Sequence, residues 1–333
     1  MSDTHLFILS LFATFLITVL ILKWLIPILK SHKMGQKILE IGPRWHKSKE
    51  GTPTMGGLAF IVAMIVVAVA AFVVIGLRDG LRAIVPGAIT LAYACLNGLV
   101  GVIDDKAKLR HKKNEGLTAK QKYLLQLVAA GAYLAAMMLT KSLTTVLYIP
   151  YFDCTVDLGI AYYVFALLLL TGIVNSVNLT DGIDGLASSA TAVVGVFLAL
   201  AAFLGRAGEF GSSISLLAAL MIGGTLGFLV YNFYPARVFM GDTGSLFLGG
   251  LVVGAAFLMN NPLIVVPMGI VYLAETASVI LQVSYFKLTH GKRIFKMAPI
   301  HHHFEQCGFS EVGVVVLFVT VTALGCMAAW FGL

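Results

Sequence analysis

The chain has little charge and few cysteines. Charged residues make up 12% of its 333 residues, whereas a typical soluble domain has about 25%. The four cysteines form no CxxC pair, so we expect neither a metal cluster nor a disulfide framework. A Walker A motif and a series of alternating strands of about ten residues are also missing, which excludes a P-loop NTPase and a membrane β-barrel.

Long apolar runs are abundant instead. Hydrophobic residues make up 59% of the chain, and its mean hydropathy is +0.93. A helix needs about 20 mainly apolar residues to cross a bilayer. Ten candidate runs are present, near 5–30, 54–77, 83–103, 119–140, 158–175, 186–205, 212–231, 243–259, 262–288 and 311–332.

These runs predict an all-α, polytopic integral membrane protein with ten transmembrane helices in a single domain, residues 1–333. Each run is expected to be helical because unpaired backbone groups are costly in lipid. The first run is interpreted as a retained span and not a signal peptide, since no Lys or Arg precedes it and it continues to Lys30. The run near 243–259 is the shortest and is rich in glycine.

The basic residues lie mostly on one side of this ten-span arrangement. That side holds 18 of the 23 Lys and Arg residues, in segments 30–53, 104–122, 232–242 and 287–310. The positive-inside rule makes this side cytoplasmic and both termini extracytoplasmic. The polar motifs fall there too, so we expect an active-site cleft at the cytoplasmic face.

The ninth run is long for a span. Its 27 residues would form a straight helix of about 40 Å, against a hydrocarbon core of about 30 Å. Glu275 falls in its middle, where an unpaired carboxylate is costly. We expect the helix to break near Glu275 and lean outward beside a groove for a lipid tail. The alternative is a straight tilted helix with Glu275 paired to a neighbouring polar side chain.

A polar stripe ends the fifth run, in "NSVNLTDGIDG" (175–185). Asn175, Asn178, Asp181 and Asp184 recur every third residue, which on a helix places them on one slowly rotating stripe. A capped loop would explain one or two of these side chains but not all four.

Two further motifs carry carboxylates at the ends of apolar runs. "VIDD" places Asp104 and Asp105 together; a solvated helix end beside Lys106 and Lys108 is the simplest interpretation of such a pair taken alone. "FMGDTGS" places Asp242 between glycines. Asp242 is either an N-cap or a ligand of a hard cation such as Mg²⁺, and the sequence leaves these two alternatives open.

Three consecutive histidines occur in "IHHHF". On a helix their side chains point about 100° apart, so they do not converge on one ion, and phosphate contacts, proton transfer or a structural network remain open. Carboxylates, basic side chains and histidines on one face suit Mg²⁺-assisted phosphoryl chemistry on an anionic substrate.

With these residues in place, the chain resembles the phospho-N-acetylmuramoyl-pentapeptide transferase family of the polyprenyl-phosphate N-acetylhexosamine-1-phosphate transferase superfamily. The resemblance spans nearly the whole chain and rests on five motifs in the same order, "GTPTMGG" (51–57), "GVIDD" (101–105), "NLTDGIDGLA" (178–187), "FMGDTGSLFLGG" (239–250) and "APIHHHFE" (298–305). The first and last of these indicate the muramoyl branch.

The resemblance implies transfer of phospho-MurNAc-pentapeptide from UDP-MurNAc-pentapeptide to undecaprenyl phosphate. UMP leaves, and lipid I forms at the inner leaflet of the bacterial cytoplasmic membrane, with Mg²⁺ as cofactor. The expected partners are these two substrates and the lipid bilayer, with no nucleic acid. The oligomeric state stays open, a homodimer included.

The resemblance also implies roles for individual residues. Asp242 matches the metal ligand, and Asp104 and Asp105 match the pair near the lipid phosphate, with Asp104 favoured as the base. The nucleotide pocket is implied to include Asn175, Asn178, Asp181, Asp184, Asn232 and Phe239. Phosphate and uridine neighbours are implied at Lys49, Thr52 and Lys122, and the catalytic histidine motif at His301, His302 and His303.

Three rival functions would leave different features in the sequence. A sibling enzyme using another UDP-HexNAc donor would share the aspartates but differ in the histidine-rich loop. An ion-coupled transporter would place its ionisable residues within spans near the midplane, whereas here Glu275 is the main such residue. A purely structural membrane protein leaves the carboxylates unexplained. A one-step reaction and a covalent aspartyl intermediate remain alternatives.

Overall fold

The structure is a computed structural model that describes residues 2–31, 49, 51–111 and 116–333. Most of the basic segment 30–53, on which the predicted orientation partly depends, therefore lies outside the described residues. The helices are, in chain order, α1 Asp3–Ser31, α2 Gly57–Asp79, α3 Leu81–His111, α4 Ala119–Leu139, α5 Ala161–Thr180, α6 Leu186–Phe203, α7 Gly211–Asn232, α8 Gly241–Leu258, α9 Val265–Met268, α10 Ile270–Leu288, α11 Ile300–Gln306 and α12 Glu311–Trp330.

Nine of the described helices are long and apolar enough to cross a membrane, and the bent pair formed by α9 and α10 brings the number to ten. The prediction of a polytopic helical membrane protein is confirmed. The all-α expectation needs one correction, because a short antiparallel hairpin joins α4 to α5. Its strands are β1 Val146–Ile149 and β2 Cys154–Asp157. The eight strand residues lie outside the candidate spans, where a strand pair does not have to satisfy its edges in lipid.

The short glycine-rich run is the centre of the bundle. In α8 every residue from Thr243 to Leu258 is buried, and the helix packs against α3 and α5. Glycine allows this close packing, since a Cβ added at Gly101 of α3 would lie 2.2 Å from the carbonyl oxygen of Asp242. The high glycine content of this run therefore reflects close helix–helix packing.

The ninth run does break, but the predicted position near Glu275 is wrong. The helices α9 and α10 meet at Gly269 with a bend of 81°, and α10 then continues unbroken through Glu275. Pro267 lies just before the break, where a proline removes a helical donor and crowds the preceding turn. Glu275 is instead paired with His301, as the alternative interpretation required, although the partner lies on α11 and not on a spanning helix.

Candidate active site

Helices that alternate in direction bring the polar motifs to one end of the bundle. The last turns of α3 and α5 and the first turns of α4 and α8 meet there. Four carboxylates from these elements form a group that we call the carboxylate cluster, which consists of Asp104, Asp105, Asp181 and Asp242. The side chains of Asp104 and Asp105 are buried, so the solvated-helix-end interpretation of this pair is wrong.

Asp105 caps α8 from the neighbouring helix. Its Oδ1 accepts the backbone N–H of Asp242 at 3.2 Å, and its Oδ2 accepts the backbone N–H and the hydroxyl of Thr243 at 2.9 and 2.7 Å. The first N–H groups of a helix lack partners within the helix and need such acceptors. Asp242 itself lies in the first turn of α8 and does not cap it, which excludes the N-cap alternative.

Two lysines join Asp104 to Asp242. Lys108 Nζ lies 2.8 Å from Asp104 Oδ2 and 3.1 Å from Asp242 Oδ2. Lys122 Nζ lies 2.5 Å from the same oxygen of Asp242 and 3.9 Å from Asp104 Oδ2. Asp104 also accepts the backbone N–H of Leu117. Asp104 therefore faces the lysines and Asp242, whereas Asp105 is committed to the start of α8.

The polar stripe of α5 divides into two parts. Asn178 belongs to the site, since its Nδ2 donates to Asp242 Oδ1 at 3.1 Å and to Ser245 Oγ at 2.8 Å. Asn175, one turn deeper, exchanges hydrogen bonds with Gln126 of α4 and donates to the carbonyl of Thr171. The structure thus gives Asn175 a role in joining α4 to α5.

Asp181 and Asp184 lie in the turn between α5 and α6 but in different electrostatic surroundings. Burial raises the pKa of the Asp181 carboxyl well above its ordinary range, and the negative charges of Asp242, Asp105 and Asp184 raise it further. Asp184 is held by Lys49 Nζ at 2.7 Å and by the backbone N–H of Ala236 at 2.9 Å. Asp184 therefore has a cationic partner, and Asp181 has carboxylate neighbours.

The remaining predicted pocket residues lie around the turn and the loop before α8. Lys49 also pairs with Glu311 of α12 at 2.5 Å. Asn232 accepts the N–H of Gly185 and donates to the carbonyl of Val238, so it joins this turn to the loop before α8. The half-buried Phe239 donates its N–H to the carbonyl of Pro53, directly after the half-buried Thr52.

The three histidines have three different environments, as their angular spacing predicts. His301 is buried and its Nδ1 lies 3.0 Å from Glu275 Oε1. His302 Nδ1 lies 2.6 Å from Glu305 Oε2. His303 Nδ1 accepts the backbone N–H of Lys296 at 3.1 Å. His301 alone is shown beside the α5–α6 turn, where its ring meets the backbone of Gly182.

The donor set fits a hard cation that a substrate helps to hold. Among the described residues no three His, Cys, Asp or Glu side chains are arranged to bind a metal on their own. Mg²⁺ does not need such a cage, because one or two carboxylates and substrate phosphates commonly hold it. The Asp181 carboxyl suits a Mg²⁺ ligand, since no hydrogen bond from a described residue offsets the negative charges around it. Asp242 beside it remains the predicted ligand.

Several site residues were missed by the sequence reasoning or assigned to solvent. Lys108 lies four residues after Asp104 on α3, a spacing that places two side chains on one helix face and could have identified the pair. Thr243 and Ser245 belong to the "GDTGS" motif and contact Asp105 and Asn178. Glu311 carried no local signal, since its contact with Lys49 joins positions that are 262 residues apart.

Comparison with known proteins identifies the family of the chain. The model of glycosyl transferase family 4 matches residues 87–260, and the phospho-N-acetylmuramoyl-pentapeptide-transferase signature 1 matches residues 49–61. The chain is 42% identical to the phospho-N-acetylmuramoyl-pentapeptide-transferase of Clostridium perfringens (strain 13 / Type A), over 98% of each chain. It is 44% identical to that of Clostridioides difficile (strain 630), over 96% of this chain and 94% of the relative. It is 42% identical to that of Staphylococcus saprophyticus, over 95% and 96%. The chain therefore belongs to the phospho-N-acetylmuramoyl-pentapeptide-transferase family and is a phosphoglycosyl transferase of the membrane.

Proposed function

We propose that the chain transfers phospho-MurNAc-pentapeptide from UDP-MurNAc-pentapeptide to undecaprenyl phosphate, giving lipid I and UMP. The observation that carries this proposal is the carboxylate cluster with Lys108 and Lys122 at one end of a helical membrane bundle. A water-soluble donor with a charged diphosphate and a lipid phosphate acceptor meet most readily at such an end. The family membership supports this choice of substrates.

We place this end of the bundle at the cytoplasmic face of the bacterial cell membrane. The segments at this end include 104–122, 232–242 and 287–310, which are among those that hold 18 of the 23 basic residues, and the positive-inside rule assigns such segments to the cytoplasm. Both termini then lie outside. An activated nucleotide-sugar made in the cytoplasm would reach the site without crossing the membrane.

In the proposed reaction an oxygen of the lipid phosphate forms a bond to the sugar-linked phosphorus of the donor. The bond from that phosphorus to the bridging oxygen breaks, and UMP leaves with the electron pair. The lipid phosphate is already ionised near neutral pH, so positioning and charge neutralisation matter more than a strong base. This is the one-step alternative; in the covalent alternative an aspartate oxygen would first displace UMP, and the lipid phosphate would then displace the aspartate.

Individual residues have separate roles in the proposed reaction. Lys108 and Lys122 lie where they can balance the negative charge of the phosphates, and Asp104 between them is the side chain proposed to face the lipid phosphate. Asp105 caps α8 and so keeps Asp242 in the first turn of that helix. Mg²⁺, proposed to bind at Asp242, supplies neutralisation of the donor diphosphate when it is present.

The nucleotide is proposed to lie along the α5–α6 turn. Asn178, Asp181 and Asp184 belong to this turn or to the last turn of α5, and Lys49 bridges Asp184 to Glu311 beside it. His301 contacts the same turn at Gly182. A ligand held there would reach the carboxylate cluster without crossing the buried core.

The test is incubation of the purified protein with UDP-MurNAc-pentapeptide, undecaprenyl phosphate and Mg²⁺. We expect release of UMP in equal amount to a new lipid product, and loss of both in EDTA. Faster turnover with UDP-GlcNAc than with UDP-MurNAc-pentapeptide would indicate the sibling enzyme. Ion flux in liposomes without UMP release would indicate the transporter and overturn the proposal.

A further inference from the structure

Helix α10, the longer part of the broken ninth span, presents a buried polar face toward residues 294–301. Glu275 and Gln282 of α10 lie seven residues apart, two helical turns, and both are buried. Gln282 accepts the N–H groups of Ile294 and Phe295 at 3.0 Å each and donates to the carbonyl of Phe295. Glu275 contacts His301 at the other end of the same segment. This face of α10 therefore holds residues 294–301 at two points.

A carboxylate at the position of Glu275 needs a specific partner. Its side chain is fully buried within an apolar helix, where an unpaired charge costs roughly a few kcal/mol or more. Oε1 lies 3.0 Å from His301 Nδ1, and Oε2 accepts the backbone N–H of His301 at 3.5 Å. Both oxygens of Glu275 thus face the same residue, so the carboxylate acts on one histidine.

The opposite edge of the His301 ring faces the α5–α6 turn. His301 is 1% exposed, and its Nε2 has no hydrogen-bond partner in the described part of the chain. A Cβ added at Gly182 would lie 2.2 Å from this atom, so the ring fills the space that the glycine leaves. Gly182 directly follows Asp181. The unpartnered nitrogen is therefore aimed at the backbone beside the carboxylate cluster.

The hydrogen-bond chemistry decides which ring nitrogen carries the proton. An ionised carboxylate only accepts hydrogen bonds, so Nδ1 must be the donor to Glu275. A second proton on Nε2 would place a charged donor in a buried position without an acceptor, which is unfavourable. Nε2 then has a free lone pair. The carboxylate contact thereby fixes both the tautomer and the direction of the ring.

We propose that Glu275 is a positioning residue, which holds His301 with its Nε2 lone pair toward Gly182 so that it accepts a hydrogen bond from the bound nucleotide. This role rests on the proposed function, because the nucleotide is the ligand that would supply the donor group. A merely structural Glu275 would stabilise the fold without affecting the tautomer of His301 or the use of the nucleotide-sugar.

The first test reads the tautomer directly and needs no activity. Protein labelled with ¹⁵N-histidine is compared by solid-state NMR as wild type, Glu275→Gln and Glu305→Gln, with His301→Gln used to assign the His301 signals. We expect a proton on Nδ1 in the wild type and a changed or mixed His301 tautomer in Glu275→Gln. The matched Glu305→Gln variant should alter His302 and leave His301 unchanged. The same His301 signals in wild type and Glu275→Gln would overturn the proposal.

The second test is kinetic. In Glu275→Gln we expect kcat/KM for the nucleotide-sugar to fall roughly tenfold to a hundredfold, the loss typical when a partner that orients a metal-bound histidine is replaced. The KM for the lipid substrate should stay the same. In the His301→Gln background the further change at Glu275 should have no effect, whereas a full additive loss would show that Glu275 acts elsewhere.

These tests separate the two proposals. A wild-type protein that releases no UMP would contradict the proposed function, and the NMR comparison would still decide the role of Glu275. An active wild type whose kinetics and His301 signals are unaffected by Glu275→Gln would contradict the positioning role alone.

Discussion

The two ends of the bundle contain the same kinds of charged side chain in opposite surroundings. At the end that holds the carboxylate cluster, Asp104 is 2% exposed and Asp105 is 4% exposed. At the other end, the side chains of Arg82 and Glu209 form an ion pair at 2.8 Å while 78% and 55% exposed. Exposed pairs contribute little to stability, typically 0–1 kcal/mol. Burial therefore distinguishes the carboxylate cluster from a surface ion pair when residue type does not.

Two aspartates illustrate the contrast. Burial and neighbouring carboxylates raise the pKa of Asp181 well above its usual range. At the other end, hydrogen bonds from the Thr145 hydroxyl and the Gly159 N–H lower the pKa of the exposed Asp157. The first environment opposes the negative charge and favours a cation nearby, whereas the second stabilises the charge with two hydrogen bonds.

The largest expected effect is on turnover. Asp242→Asn removes a charge that contacts both lysines and is the proposed Mg²⁺ ligand, so we expect UMP release to fall by roughly 10²–10³ or more. Asp157→Asn is the matched control at the opposite end and should keep near-normal activity. Both variants should elute like the wild type in size-exclusion chromatography in detergent, which shows that they are folded. Near-normal turnover of Asp242→Asn at saturating Mg²⁺ would remove Asp242 from the proposed metal site.

The next effect is on stability. Asp105→Ala leaves the buried N–H groups of Asp242 and Thr243 without an acceptor, which costs roughly 1–3 kcal/mol for each unsatisfied donor. We expect a clear fall in the thermal unfolding temperature measured in detergent. Asp153→Asn, in the exposed hairpin turn, is the comparison, since asparagine tolerates the positive φ of 46° at this position. An unchanged unfolding temperature in Asp105→Ala would show that α8 does not depend on this cap.

A smaller effect concerns pH. The folded state holds the proton of Asp181 more tightly than the unfolded chain, so the stability linked to this group is present below the ordinary Asp pKa of about 4 and is lost as pH rises through the raised folded value. In EDTA, the unfolding temperature should fall over this window, and Asp181→Asn should flatten the dependence. The stability linked to Asp157, whose pKa is lowered in the folded state, should instead be lost as pH falls. Asp157→Asn should remove that loss. Identical pH profiles for wild type and Asp181→Asn would contradict this account.

The smallest effect is expected at the exposed pair. Glu209→Gln removes the partner of Arg82 where both side chains are largely in solvent, so stability should change by about 0–1 kcal/mol. Turnover should be unaffected. A loss of activity comparable with that of Asp242→Asn would show that the two ends are coupled and would break the contrast between them.

The structure brings some of the predicted site residues together and gives others a contact elsewhere. Asn178, Asp181 and Asp242 were identified from spacing and glycine context, and they do lie together. Asn175 and Asn232 have the right residue type, but in the structure their amides join helices and loops. An amide looks the same in sequence whether it faces a ligand or a neighbouring helix, so spacing alone does not separate these roles.

The break in the ninth span shows a second limit. Its excess length predicted a break or a strong tilt, and the bend between α9 and α10 is such a break. The position was wrong because Glu275 was taken as the unstable point, although a partner 26 residues away makes it stable. The proline and glycine near the start of the run were the better local signal.

The sequence by itself determined the membrane class, the number and limits of most helices and the motifs that mark the family. These properties depend on local runs of apolar residues and on short patterns, and both are present before the chain folds. Only the tertiary structure decided which carboxylate meets which lysine, that Asp105 caps a helix 138 residues away in sequence, and that His301 lies between Glu275 and Gly182. Those contacts depend on how closely α3, α5 and α8 pack, which is a property of the whole bundle.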